Sequence, residues 1–260
     1  MNLTKIETTT WVGKELYYYK TIDSTNVKAA ECAKDGCGHG TIILAEKQEA
    51  GRGRRGRSWS SEEGSGIYMS LVLRPTLAPQ NASGLTLVAA VAVAKAIAVA
   101  TESTARIKWP NDIVMNQKKV CGILTEMSLD GQEIASVVVG IGVNVHQKDF
   151  SKELADIATS IDKETGSYHS RGRLIEEILR WFEAYYEKYM QTGNLSLLKK
   201  EYEEILANKD EKVKVLDPAG EYEGIARGIT KTGELIVDTG KKRHYVSSGE
   251  VSVRGIYGYV

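Results

Sequence analysis

Residues 85–100 read Leu-Thr-Leu-Val-Ala-Ala-Val-Ala-Val-Ala-Lys-Ala-Ile-Ala-Val-Ala, with Lys95 the single charge. A membrane span needs about twenty apolar residues, so the run is short for one. Alanine and leucine favour helix, and a helix apolar on nearly all sides is a buried one. The stretch is therefore read as a core helix, and the chain as a globule around it. A chain of 260 residues buries roughly 70–75% of its unfolded surface and needs no covalent staples. Lys plus Arg number 34, as do Asp plus Glu, so no basic excess marks a whole-molecule polyanion binder. Three cysteines, Cys32, Cys37 and Cys121, argue against a disulfide framework and for a reducing compartment. Met1 to Tyr19 lack the apolar core and small-residue site of a secretory signal. A cytoplasmic protein with no membrane partner is expected.

Strands and helices alternate along the first two hundred residues. Glu15–Ile22 reads as a strand, and Asp23 and Ser24 as the start of a helix that runs through Val27–Lys34. The glycines of 36–40 break it before the short apolar strand Thr41–Ala45. A loop rich in Gly, Arg and Ser, Gln48–Gly66, precedes the strand Ile67–Leu73. Beyond the core helix, Lys108-Trp-Pro-Asn-Asp112 has the composition of a turn. Two β-rich runs follow, Lys119–Met127 and Ile134–Val145, around the turn Asp130-Gly131. Leu174, Ile178, Trp181, Tyr185 and Tyr189 share one helical face, with Ser170 as N-cap. A second helix is expected over Leu195–Leu206. After Asn208 the pattern changes to short strands at about ten-residue spacing, a small β-barrel by rhythm. Turns at Pro218–Gly220, Lys231–Gly233 and Thr239-Gly240 separate them, and Val251–Val253 is the last strand.

The sharpest segment is Gln48-Glu-Ala-Gly-Arg-Gly-Arg-Arg-Gly-Arg-Ser-Trp59. Its glycines permit positive φ and close approach of backbone N–H groups to an anion. Its arginines add planar donors that match phosphate or carboxylate. Gly51, Gly53 and Gly56 satisfy a literal GxGxxG, but a dinucleotide site needs a helix next, and a strand follows here. A solvated arginine loop is the plain alternative. In Lys108–Asp112, Pro110 fixes its own φ and biases Trp109 away from α. The turn can aim Asn111 and Asp112 in one direction, at a metal or an amine, or simply cap a neighbouring element. Lys118 and Lys119 open a strand; a lysine beside a phosphate is an electrostatic catalyst, and an exposed strand start is the alternative. Gly140 and Gly142 alternate in an apolar strand and leave room for a ligand or mark a bulge. Asn144 offers the donor and acceptor that a heterocycle edge requires. Cys32, Cys37 and His39 lack a fourth nearby zinc ligand and are read as structural.

Taken together, these segments resemble a biotin–protein ligase. The resemblance rests on Asp23-Ser-Thr-Asn26, Gln48–Trp59, Lys108–Asp112, Lys119–Leu124 and Gly140–Asn144, in the family's order. It extends to Ala158-Thr-Ser160 and Glu250-Val-Ser-Val-Arg254. It implies an α+β fold: a mixed β-sheet flanked by helices, class II synthetase-like as in biotin–lipoate ligases, with a small C-terminal SH3-like β-barrel. Residues 1–208 would form the catalytic biotin- and ATP-binding domain, and 209–260 the barrel. The implied reaction activates biotin with ATP and Mg2+ to biotinyl-5′-AMP. Biotin then passes to a lysine of a biotin carboxyl carrier protein domain, of acetyl-CoA carboxylase or a related carboxylase.

By the same resemblance, Ser24, Thr25, Asn26 and Gln48 surround the biotin head, and Gly51 and Arg52 its acyl tail. Gly122, Gly140 and Gly142 shape that pocket. Lys119 holds the biotin carboxylate and the phosphoryl oxygen that joins it. Arg54, Arg55, Arg57, Trp59, Lys108, Asn111, Asn144 and Arg254 serve ATP. Lys119, Arg54, Arg52 and Asp112 carry the chemistry, with Asp112 also the metal candidate and the group that orients the acceptor amine. Phe150 is the aromatic nearest the adenine loop. The physical logic agrees: a carboxylate approaching an α-phosphate needs fixed positive charge, and a loop that closes protects the reactive anhydride from water. The residues before Glu15 are too few for a helix-turn-helix unit, so no DNA partner is expected. The family admits a homodimer.

Overall fold

The computed structural model describes residues 8–218, 220–249, 252–255 and 259–260. Twelve strands and five α-helices occur among them. The first sheet has the order β1 (Leu16–Ile22), β2 (Ile42–Gln48), β3 (Gly66–Leu73), β7 (Glu133–Asn144), β6 (Lys118–Asp130), β5 (Asp112–Met115), β4 (Arg106–Lys108). Only β1 and β2 run parallel; every other neighbouring pair is antiparallel, so the sheet is mixed.

Alternation along the strands sorts side chains between two layers. Ile42 and Leu44 of β2 join Val137, Val139, Ile141 and Val143 of β7 in the main core. That core lies against α2 (Gly84–Thr101) and α4 (Arg171–Thr192). Ile43, Val72 and Val138 point to the other face, where Ala29 and Ala33 of α1 (Thr25–Lys34) cover them. The helical stretch Pro79–Thr101 is long and apolar enough to span a bilayer, yet 72% of its window is buried in the fold. It is the expected core helix. In α4 the buried stripe is wider than the expected face, adding Ile175, Leu179, Phe182 and Tyr186. Trp181 sits at its edge, with the Lys95 ammonium 5.2 Å from its ring. Ser170 accepts from the Arg173 N–H and caps the helix as expected.

The expected helix over Leu195–Leu206 is much shorter. Only α5 (Lys199–Glu204) forms. Tertiary hydrogen bonds take the backbone on both sides: Leu195 N–H donates to the Lys231 carbonyl at 2.8 Å, and Ile205 and Ala207 bridge to Ile107. A short helix α3 (Ile161–Thr165) was not foreseen, and the expected turn Lys108–Asp112 joins β4 and β5 in a hairpin.

Residues after Asn208 form an antiparallel sheet in the order β11 (Arg243–Val246), β10 (Leu235–Asp238), β9 (Tyr222–Ile229), β8 (Lys212–Leu216), β12 (Ser252–Gly255). Val213, Val215, Leu235 and Val237 alternate inward and merge with the main core. Trp109 ties the two sheets: its backbone N–H donates to Asn208 Oδ1 and its indole N–H to the Gly233 carbonyl, both at 3.0 Å. Ala219 of the expected turn, Val251 of the last expected strand, and Glu250 lie outside the described residues, as do residues 1–7.

The segment leading to β1 is held by one carboxylate. Glu183 accepts from the backbone N–H groups of Thr10, Trp11 and Val12 and from the Thr10 hydroxyl, at 2.7–3.0 Å. Burial pushes this carboxyl up, but the N–H groups outweigh it and hold it below its usual value. Its contribution to stability is therefore full above the free-glutamate pKa and fades as pH falls through the lowered folded value. Glu183→Gln is expected to cost about 1.5–3 kcal/mol at neutral pH. The deficit should shrink on acidification, as urea unfolding at pH 7 and below pH 4 would measure.

Candidate active site

Strand register builds the floor of a cleft on the α1 face of the first sheet. Gly122 lies opposite Gly142, and Leu124 opposite Gly140. Tyr68 and Ser70 of β3 continue the same two rows. The glycines are there because side chains would collide. A Cβ on Gly140 would stand 1.9 Å from Asn26 Oδ1, and on Gly122 or Gly142 within 2.8 Å of the Trp59 indole. The cleft is narrow, about 50 Å3, and Trp59 is one of the residues that line it.

One end is a closed polar network. Gln48 Oε1 accepts from the Thr25 N–H and hydroxyl at 2.8 and 3.0 Å, and Gln48 Nε2 donates to Ser61. Ser70 bridges Thr25 Oγ1 and Asn26 Oδ1, and Asn26 Nδ2 donates to Glu126 Oε2 at 2.8 Å. Ser24 is the residue before α1, but its hydroxyl makes no capping bond and lines the cleft instead. Glu126 also stands 3.5 Å from the Arg52 guanidinium. Sequence reasoning missed Ser70, Ser61, Tyr68 and Glu126. Ser70, a polar side chain inside the apolar run Ile67–Leu73, was the one visible signal.

The other end is cationic. Lys108 and Asp112 face each other in the β4–β5 register, and Asp112 faces Gly122. Lys119 is three residues from Gly122, so strict alternation would send it to the opposite face. The register shift between Ile113 and Val114 leaves Val120 as the extra residue of a bulge. A bulge re-aims side chains, and this one brings Lys119 Nζ to 2.6 Å from Asp112 Oδ1. Tyr259 donates to the other oxygen at 2.5 Å. Burial pushes the Asp112 carboxyl up, but the charges of Lys119 and Lys108 outweigh it and hold it below its usual value. Burial brings Lys108 down to about 8, only partly offset by Asp112.

Arg54 is half-buried and fully engaged. It donates to Asn111 Oδ1 at 2.7 Å and to the carbonyls of Ser248 and Gly249, which lie between β11 and β12. Burial lowers its pKa. Arg55 has φ 59 and is exposed, as is Arg57; with Arg254 they rim a larger adjoining cavity. Asn144 and Phe150 line that cavity too, and Asn144 Nδ2 already donates to the Thr159 carbonyl at 3.1 Å. Trp59 reaches both cavities. Its Nε1 is buried without a partner, and Lys119 Nζ lies 5.2 Å from its ring. Gly51 packs against the Trp59 carbonyl, which leaves no space for a Cβ.

The assignment of a metal to Asp112 needs correction. One oxygen accepts from a phenol, the other is ion-paired with Lys119 without a well-directed hydrogen bond, and a second lysine faces the carboxylate. No group of three metal-ligating side chains occurs among the described residues. The donor set does not fit a protein-held Mg2+, which prefers carboxylate and water oxygens.

Residues 18–144 match the model of the Biotin/lipoate A/B protein ligase family, and residues 210–254 that of the Biotin protein ligase C terminal domain. The Bifunctional ligase/repressor BirA of Bacillus spizizenii is 40% identical over 93% of this chain and 75% of its own length. The chain belongs to the biotin protein ligase family. The Biotin–[acetyl-CoA-carboxylase] ligase of Paracoccus denitrificans is 34% identical over 90% of this chain and 98% of its own. The solved biotin protein ligase from Aquifex aeolicus in complex with biotin and ATP superposes with a TM-score of 0.80. It is 31% identical and covers 93% of this chain and 99% of that one. The mixed sheet flanked by helices and the C-terminal antiparallel sheet are thus those of a biotin protein ligase. All five segments first singled out in the sequence converge on the cleft and its adjoining cavity.

Proposed function

We infer that this chain is an ATP-dependent ligase that makes biotinyl-5′-AMP and passes the biotin to a lysine of a biotin carboxyl carrier protein domain. One observation carries the reading: a glycine-floored cleft with a polar closed end opens directly onto buried cations. The Gln48–Thr25–Asn26 end suits a ureido head, which both donates and accepts. Trp59 lies over the Gly122 and Gly142 floor, so a flat ring and an acyl tail take that space when the indole moves aside. Arg52 and Lys119 face the carboxylate that ends the tail.

In the first step the carboxylate oxygen bonds to the α-phosphorus of ATP, and the bond to the bridging oxygen breaks to release pyrophosphate. Two anions meet, and Lys119 supplies the charge that lets them. Arg54 and Lys108 serve the phosphates; Asn144, Trp59 and Arg254 serve the nucleoside from the larger cavity. Magnesium in this reading arrives on the ATP phosphates, and no protein step runs through it. In the second step the acceptor amine displaces AMP from the acyl carbon, with Asp112 orienting it. Residues 1–208 form the catalytic unit in this reading, and 209–260 the unit that covers the nucleotide.

The test uses biotin, α-labelled ATP and a divalent metal. Labelled biotinyl-AMP and pyrophosphate are expected, then biotin on the carrier lysine. No adenylate with any divalent metal would overturn the reading. The matched family model also covers lipoate ligases, so calorimetry with lipoate should show far weaker heat than with biotin.

Lys108 gives the reading a pH signature. Its ammonium is lost above about pH 8, and one unit higher about a tenth of molecules keep it. The KM for ATP should therefore climb between pH 8 and 9, and Lys108→Arg should flatten the climb. By linkage Lys108 favours the fold as pH rises from about 8, while the thiols of Cys32 and Cys121, pushed up by burial, act in the opposite sense. A melting curve at each pH therefore separates loss of ATP affinity from unfolding.

A further inference from the structure

Two of the three cysteines meet where α1 ends, at Asp35. Gly36 has φ 88. Its N–H donates to the Ala33 carbonyl at 3.3 Å, and the Cys37 N–H reaches back to the Cys32 carbonyl at 3.0 Å. This pair of bonds is the Schellman ending of a helix, which sets the side chain three places before the cap against the one two places after it. That contact is commonly apolar; here both positions are cysteine. The Cys32 thiol hydrogen-bonds to the Cys37 sulfur. Both are partly buried free thiols beside the apolar cluster of Ala29, Ala33 and Val72. His39 is turned to other partners: its ring stacks on Trp11 with centroids 4.4 Å apart, and its Nδ1 accepts from the Arg74 N–H.

We propose that Cys32 and Cys37 are a peroxide-reactive dithiol that closes to a disulfide across the end of α1. Burial and the hydrogen bond to Cys37 push the Cys32 thiol up to about 12, so Cys32 keeps its proton and Cys37 is the sulfur that attacks first. The Cys37 sulfur bonds to one peroxide oxygen, the O–O bond breaks, and water leaves. The product is a sulfenic acid on Cys37. Cys32 then attacks that sulfur; the S–O bond breaks, and a second water takes the Cys32 proton. In all, two thiols lose two electrons and two protons, and the peroxide is reduced to two waters. A disulfide needs its Cβ atoms about 3.5–4.5 Å apart, and the backbone hydrogen bond between the two residues already holds them close. Cys121 is fully buried in the main core and stays out of the exchange. The bond pins the far end of the helix that brings Thr25 and Asn26 to the cleft.

The experiment treats the full, reduced chain with hydrogen peroxide in small excess. Remaining thiols are blocked with iodoacetamide in denaturant, and trypsin is added without reductant. Cleavage after Lys28, Lys34 and Lys47 separates the two cysteines, so the bond shows as peptide 29–34 joined to peptide 35–47. The joined pair should come from chain of monomer mass and vanish with dithiothreitol, while Cys121 is recovered alkylated. This measurement needs no variant. Cys32 and Cys37 both recovered alkylated, joined peptides that include Cys121, or bonds between chains overturn the proposal. The oxidised chain should also melt about 4–8 °C above the reduced one, from the closed loop; an unchanged melting temperature overturns the pinning of α1. Two variants test the order of attack. Cys32→Ser should leave a Cys37 sulfenic acid that dimedone traps, and Cys37→Ser should take up at least about tenfold less label. Equal or reversed labelling overturns the role of Cys37 as the first nucleophile.

Discussion

Lys119→Ala is expected to slow biotinyl-5′-AMP formation by about a thousandfold, the upper end of what one charge-stabilising donor contributes. The reason is differential: the charge of Lys119 matters most when the carboxylate oxygen and the α-phosphate share a forming bond. Ground-state binding of biotin should change far less, because the Gln48–Thr25–Asn26 network lies at the other end of the cleft. A loss in kcat with little change in KM for biotin is the pattern to look for. Single-turnover pyrophosphate release measures it. The substitution also takes an ion-pair partner from buried Asp112, but Lys108 and Tyr259 stay beside it. Circular dichroism should therefore show a folded chain. A rate within a few-fold of wild type removes Lys119 from the chemistry.

Arg54→Gly should let the adenylate escape. The guanidinium donates to Asn111 and to the Ser248 and Gly249 carbonyls and lines the larger cavity, so in the proposed reading it both faces the nucleotide and fastens the C-terminal unit beside it. Each hydrogen bond to a charged group is worth about 1.5–3 kcal/mol, so removing the donor should speed adenylate release by at least about tenfold. Free biotinyl-5′-AMP would then accumulate in the medium, measurable after rapid filtration. No increase over wild type counts against the clamp. Arg55 and Arg57 are exposed, and alanine there should cost less.

Much of this site was legible beforehand because its parts are local. Gly140 and Gly142 differ by two, so any strand through them must place both on one face. Gln48–Trp59 announces itself through glycine and arginine density, which few structural needs explain. Thr25 and Asn26 follow a helix-start pattern, and helix starts keep side chains near exposed backbone N–H groups. Ser70 and Glu126 were passed over because a single polar residue in a strand has no periodic partner to flag it. The expected helix Leu195–Leu206 failed for a different reason. Its residues have helical propensity, but Leu195, Ile205 and Ala207 use their backbone groups on β4 and the C-terminal sheet.

The sequence by itself determined the order of the main strands and helices, the core helix over residues 85–100, the glycine floor and the identity of the cationic loop. Each follows from composition or periodicity within a dozen residues. The tertiary structure alone decided that Lys119 faces Asp112, since the bulge at Val120 reverses a parity that alternation assigns the other way. It alone decided that Tyr259 meets Asp112, 147 residues distant in sequence. Such contacts depend on where one packed unit docks on another, and no local pattern encodes that.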